Sequence, residues 1–162
     1  MPERTVVFVD ADACPVTREA ITVARTHHVP VVLVGNETQN LARYAERPGV
    51  ESLSVGNGPD AADYAIVSRL SPNDVVVTDD LGLVAMAMGR GSRALSFRGR
   101  VYLAATIDAE LAVRHAEQRH RRAGGRTRGP SPLAEEDKQR FRDELARMLR
   151  ESRSQDTGPP GG

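Results

Sequence analysis

Short apolar runs alternate with helix-patterned stretches through the first hundred residues, and this alternation constrains the chain more than any other feature. Val6–Val9, Val31–Val34, Val75–Val77 and Ala94–Phe97 are nearly continuous and largely β-branched, with Val50–Val55 a weaker fifth. An uninterrupted apolar strand needs cover on both faces, as a parallel sheet between helices provides. Between the first two runs, Val16, Ala20, Val23, Ala24 and His27 share one helical stripe. Thr38–Glu46, Asp60–Leu70 and Leu81–Met88 predict further helices. The expected class is therefore α/β, with a mostly parallel sheet wrapped by helices.

After Phe97 the texture changes. Thr106 predicts the N-cap of a helix running to about Arg122, with Asp108 and Glu110 in its first turn. Gly124-Gly125 ends it, and Gly129-Pro130-Ser131-Pro132 separates it from a last helix. There Phe141, Leu145, Met148 and Leu149 repeat at i, i+4, i+7, i+8 and should dock on the body. Ser152 to Gly162 is polar and rich in Gly and Pro, which predicts disorder. A chain of 162 residues suits one domain with a modest extension. The division is residues 1–150 as a single domain, with an α/β body over 1–105 and C-terminal helices over 106–150. Residues 151–162 form the tail.

Lys plus Arg and Asp plus Glu both number 22, so the net charge is zero, which excludes a globally basic nucleic-acid protein and an acidic disordered chain. The balance hides polarity. In residues 111–130 Glu117 alone opposes Arg114, Arg119, Arg121, Arg122, Arg126 and Arg128. Aromatics at 4% argue against a base-stacking platform, and the single Cys14 excludes an intramolecular disulfide. No apolar run approaches the ~20 residues needed to span a bilayer, and the N-terminus does not read as a signal peptide. The expectation is a soluble, cytoplasmic protein with no membrane partner.

Acids follow the strands. The first run ends in Asp10-Ala11-Asp12, Asp60 and Asp63 open a helix one turn apart, and Val75–Val77 leads into Thr78-Asp79-Asp80. In a parallel sheet the carboxyl ends of strands share one edge, where ligands bind. Two carboxylates ~4 Å apart repel by roughly 4 kcal/mol at an effective dielectric of 20. Such a cluster demands protonation or a cation, and Mg²⁺ or Mn²⁺ suits an all-carboxylate donor set. Taken singly, each acid also reads as a helix cap, Asp60 above all, and Asp79 as a solvent-facing charge. Asn36, after the second strand, either reaches the same edge or serves a turn.

Other signals have plainer readings. Cys14 reads as a small buried residue rather than a nucleophile. His27 and His28 suit a helix C-terminus, and neither Gly56–Gly58 nor Gly89–Gly91 forms a phosphate-binding fingerprint. Arg114, Arg121 and Arg122 fall on one helix flank, extended by Arg126 and Arg128. They read equally as a solvated face or as a phosphate-backbone contact.

Val9-Asp10-Ala11-Asp12-Ala13-Cys14-Pro15-Val16 resembles the YaiI/YqxD family of bacterial proteins of unknown function. The likeness continues through Gly58-Pro59-Asp60-Ala61-Ala62-Asp63, Thr78-Asp79-Asp80-Leu81-Gly82-Leu83 and Arg98-Gly99-Arg100-Val101-Tyr102. It reaches Gly124-Gly125, Gly129-Pro130 and the helix containing Asp137 and Phe141, and so spans residues 5 to about 150. The family is regarded as PIN-domain-like. The resemblance implies a three-layer, Rossmann-like, PIN-like fold with an acidic metal pocket of nuclease type. It makes Asp10 the central ligand, Asp60 or Asp63 the second-site acid, Asp80 the acid after the later strand, and Thr78 the small hydroxyl. Asp79 between Thr78 and Asp80, and Val84 where alanine is common, depart from the usual pattern.

Three functions follow from these residues. The first is metal-dependent phosphodiester hydrolysis of RNA or single-stranded nucleic acid. Asp10, Asp12, Asp63 and Asp80 would be catalytic, and Asp10, Asp60, Asp63, Asp79 and Asp80 would hold Mg²⁺ or Mn²⁺. The second is a haloacid-dehalogenase-type phosphatase with Asp10 as nucleophile. It lacks a phosphate-holding lysine, since Lys138 lies beyond the body, and Arg93 would have to substitute. The third is a non-catalytic module that binds RNA or protein.

Overall fold

A computed structural model describes residues 4–36, 38–58, 60–125 and 131–156. Five strands, β1 (Val7–Asp10), β2 (Val31–Gly35), β3 (Val50–Ser54), β4 (Val75–Val77) and β5 (Arg93–Leu95), form one sheet of order β3-β2-β1-β4-β5. Every strand pair is parallel, with Val9 opposite both Leu33 and Val77. Central β1, β2 and β4 are apolar on both faces because helices cover both.

Helices α1 (Thr17–Thr26), α2 (Thr38–Ala45) and the C-terminal α6 (Glu135–Asp156) lie on one side. Their core joins Val16, Ala20 and Ile21 to Phe141, Leu145, Met148 and Leu149 over Val7, Val9 and Leu33. Helices α3 (Ala61–Arg69) and α4 (Leu81–Gly89) cover the other side through Ile66, Leu83 and Ala87 against Phe8, Val32 and Val76. Helix α5 (Ala104–Arg122) packs beside α4 through Ile107. The fold is thus a three-layer α/β/α sandwich.

Helix α6 is the anticipated docking helix. Its four buried apolar side chains contribute about 1.5–3 kcal/mol each. Gly99 makes the approach possible: its φ is +84°, and a Cβ there would lie 2.6 Å from the Arg140 carbonyl carbon and the Phe141 nitrogen. Arg98 reaches over to Asp137 at 2.9 Å and to the Ser131 carbonyl, so Arg98-Gly99 anchors the start of α6.

Two expectations are corrected. Thr106 is no N-cap: α5 begins at Ala104, and the Thr106 hydroxyl donates back to the Leu103 carbonyl. Asp108 and Glu110 accordingly lie beyond the first turn. The tail does not start at 151, because α6 continues to Asp156 and Ser152 is buried. Ser152 escapes the polar pattern because Arg93, at the amino end of β5, donates to its Oγ and, at 2.9 Å, to the Met148 carbonyl. Residues 157–162 lie outside the described residues. Among those described, no helix is long and apolar enough to cross a membrane.

Candidate active site

In this strand order β1 and β4 are neighbours whose helices leave toward opposite faces, and the crevice beyond their carboxyl ends is the topological switch point. Asp10 closes β1, and Thr78, Asp79 and Asp80 follow β4. Thr78, fully buried, donates its hydroxyl to Asp10 Oδ2 at 2.9 Å and accepts the Asp80 N–H at 3.0 Å. One side chain thus fixes two acids. Asp80 is the N-cap of α4, accepting from the Gly82 N–H at 2.9 Å, and Arg114 of α5 stands 3.4 Å from its Oδ1.

Asp63 enters from the first turn of α3. Burial raises its pKa from 3.8 to about 6, helped by Asp80, Asp10 and Asp60. Asp10 is also raised, by burial first, then by Asp80, Asp12 and Asp79, against the lowering effect of the Thr78 hydrogen bond. Asp10, Asp63 and Asp80 therefore share one field of mutual repulsion at the switch point.

The remaining acids are placed differently. Asp12 turns toward β2, where both of its oxygens accept from the Asn36 N–H at 3.1 Å. A Cβ on Gly35 would meet Asp12 Oδ1 at 2.6 Å, so a side chain there would push the carboxylate from its present seat. Ala13 has φ 61, a left-handed conformation costly for alanine, in the loop that doubles Asp12 back. Asn36 also donates its side-chain amide to Asn57 at 3.4 Å and so ties the β2 and β3 ends. Asp79 is exposed, yet accepts from the Phe97 N–H at 2.8 Å and clasps the chain after β5. Asp60 occupies the N-cap position of α3 without a side-chain capping bond, so the plain capping role expected of it is not realised. Among the described residues, no three His, Cys, Asp or Glu side chains close into a ready ligand cage.

The basic helix is divided. Arg114 and Arg121 line, with Asp79, Glu110, Glu117 and Val113, a groove of about 510 Å³. Arg122 lies instead with His115 and Arg119 on another face of α5, since one residue turns a helix by about 100°. The single flank expected for all three is therefore corrected to the pair Arg114 and Arg121. Arg126 and Arg128 lie outside the described residues. Arg93 cannot stand in for the missing lysine: it pairs with Val75 at the opposite end of the sheet and bonds Asn73, Met148 and Ser152. Cys14 is half-buried, and burial pushes its thiol up from 9.0 to about 11, as an inert packing residue requires.

Two features escaped sequence reasoning. Asp74 is buried at the amino edge, accepting from the Val6 and Ser71 N–H groups at 2.9 and 2.8 Å. It is an architectural acid that looks like the others in sequence. A second cleft, between α1 and α2, is lined by Arg18, Arg43 and Arg47 and borders Asp12. Its signal was the Arg43-Tyr44 pair with Arg47 one turn on.

Fold and site together define a three-layer, Rossmann-like α/β protein with an acid-lined switch point. The sequence comparison gives it a family. Residues 8–151 match the family described as Uncharacterized BCR, YaiI/YqxD, and the chain belongs to it. A UPF0178 protein of Exiguobacterium sibiricum is 39% identical over 145 residues, covering 90% of this chain and 96% of its own. UPF0178 proteins of Bacillus thuringiensis subsp. konkukian and Bacillus anthracis are each 40% identical over 146 residues, 88% of this chain and 97% of theirs. No solved structure matches the chain.

Proposed function

We propose that the protein is a Mg²⁺- or Mn²⁺-dependent nuclease acting on RNA or single-stranded nucleic acid. The observation that carries this reading is the shared field of Asp10, Asp63 and Asp80, with Arg114 at its rim. An all-oxygen, mutually repelling donor set fits a hard divalent cation. It needs no closed cage, since Mg²⁺ commonly keeps several waters and takes only one or two carboxylates. Asp10 would hold the ion, with Asp63 or Asp80 as the second acid. A bound ion would supply Lewis-acid polarisation and a water of lowered pKa.

The chain's own residues do the rest. Thr78 fixes the orientation of Asp10 through its 2.9 Å hydrogen bond. If Asp80 is the second ligand, Asp63, raised to about 6 by burial, would be the residue to accept a proton from an attacking water. Arg114, 3.4 Å from Asp80, would offset part of the repulsion that the acids exert on a phosphate backbone. Asp12 is engaged with Asn36 and supports the loop. The phosphatase alternative loses its phosphate-holding cation, because Arg93 is at the far edge.

Purified protein should cleave a mixed-sequence RNA with Mn²⁺, and Asp10→Asn should abolish cleavage while leaving the fold intact by circular dichroism. Cleavage that survives both Asp10→Asn and EDTA would reject the mechanism. RNA binding without turnover, lost on removing arginines, would favour the non-catalytic module instead.

A further inference from the structure

We infer that the cleft between α1 and α2 is a binding site for the sugar-phosphate backbone of a single-stranded nucleic acid, leading the strand to the acid edge. This assignment rests on the nuclease reading for its direction, not for its existence.

The cleft encloses about 590 Å³, within the size range of small-ligand sites, and runs from the loop after β1 down α2. Arg18 stands on the first turn of α1, Arg43 near the end of α2, and Arg47 just past it. None of the three has an ion-pair partner among the described residues, while seven pairs occupy arginines elsewhere on the surface and one holds Arg114. The acids in the cleft are Asp12, whose oxygens face the Asn36 N–H, and exposed Glu46. Three guanidinium groups thus stand against two carboxylates, an excess of positive charge in the cleft. Guanidinium is suited to phosphate through its planar fork of donors.

Two details favour nucleic acid over another polyanion. The Arg47 guanidinium lies 5.8 Å from the Tyr44 ring centroid, so a cation and a half-buried aromatic ring stand together in the cleft wall, a pairing that single-strand sites use. Asp12 lines the cleft and also sits two residues after Asp10, so a bound strand would continue onto the switch point. Across that point Arg114 and Arg121 line the opposite groove. That groove also holds Asp79, Glu110 and Glu117, so the arginine-rich approach to the acids is the cleft between α1 and α2.

The test is fluorescence anisotropy of a labelled 12-nucleotide single-stranded RNA in EDTA, where no cleavage occurs. The variant Arg18→Ala/Arg43→Ala/Arg47→Ala is compared with the charge-matched control Arg69→Ala/Arg90→Ala/Arg142→Ala, both checked for folding by thermal melting. The cleft variant should weaken binding at least tenfold and lower the slope of log Kd against log salt by about 2, the value for three lost contacts to a single strand. The control should change binding less than threefold. Equal effects of the two variants, absence of binding by the wild type at low salt, or equal competition by a polyglutamate peptide would each overturn the inference. Cleavage in Mn²⁺ separates the two readings. If the cleft variant loses RNA and the wild type never cuts, only the nuclease reading falls. If the cleft variant cuts with unchanged KM, only the cleft assignment falls.

Discussion

Replacing Asp63 by asparagine should make the protein more stable, although a charged group of the acid edge is changed for a neutral one. The reason is the cost of keeping a charge there: burial and three neighbouring carboxylates raise the Asp63 pKa from 3.8 to about 6. A shift of that size corresponds to about 3 kcal/mol by linkage. Asp63 is partly open to solvent, and screening reduces the expected effect to about 1 kcal/mol. Its direction follows from proton uptake. The folded state binds this proton more tightly than the unfolded state, so its stabilising contribution is complete below pH 3.8 and is lost as pH rises through 6. At pH 7 the wild type carries the whole penalty and Asp63→Asn carries none. Urea unfolding at pH 7 should favour the variant by about 1 kcal/mol, or about 2–4 °C in Tm for a chain of this size. At pH 4 the gain should have largely gone. Millimolar Mg²⁺ should narrow the gap at pH 7, because a cation relieves the same repulsion in the wild type. A variant less stable than the wild type at pH 7, or one whose gain is the same at pH 4, would refute this account of the edge.

Other expectations concern the scaffold. Asp74→Ala removes the acceptor of two backbone N–H groups at a buried position and should cost about 3 kcal/mol in urea unfolding, without changing RNA cleavage. Gly99→Ala puts a Cβ against the backbone of α6 in a left-handed conformation and should cost about 3 kcal/mol, with faster proteolysis of α6 than in the wild type. The Cys14 thiol, pushed up to about 11, should alkylate at pH 7.5 about a hundredfold more slowly in the folded protein than in urea, and equal rates would show it to be accessible and ordinary.

The three-layer class was legible because Val75-Val76-Val77 and its counterparts are apolar at consecutive positions, a pattern that only two-sided cover explains. The meeting of Asp10 with Thr78 was legible one step further on, since it requires β1 beside β4 and sequence alternation alone does not rank neighbours. Errors arose where a tertiary contact overrides local chemistry. Ser152 reads as solvent-loving until Arg93, on a distant strand, reaches it. Thr106 reads as a cap, but α5 already starts two residues earlier, at Ala104, and the Thr106 hydroxyl donates to the Leu103 carbonyl instead of accepting an N–H. Asp12 and Asp79 look equivalent to Asp10 and Asp80 on the page. Their carboxylates are instead engaged by the N–H groups of Asn36 and Phe97, which lie after other strands. Arg121 and Arg122 differ only by the turn between adjacent residues, which sends them to opposite grooves.

The late arrival of α6 has a consequence for synthesis. Its apolar stripe completes the layer begun by α1, yet Leu149 is translated 142 residues after Val7, an interval on the order of ten seconds at ordinary ribosome speeds. Throughout it, the layer begun by α1 and α2 stays incomplete, with the apolar groups that α6 will cover still open to water. The emerging polypeptide therefore cannot close into its finished form until translation has passed the point at which Arg93 can grip Ser152.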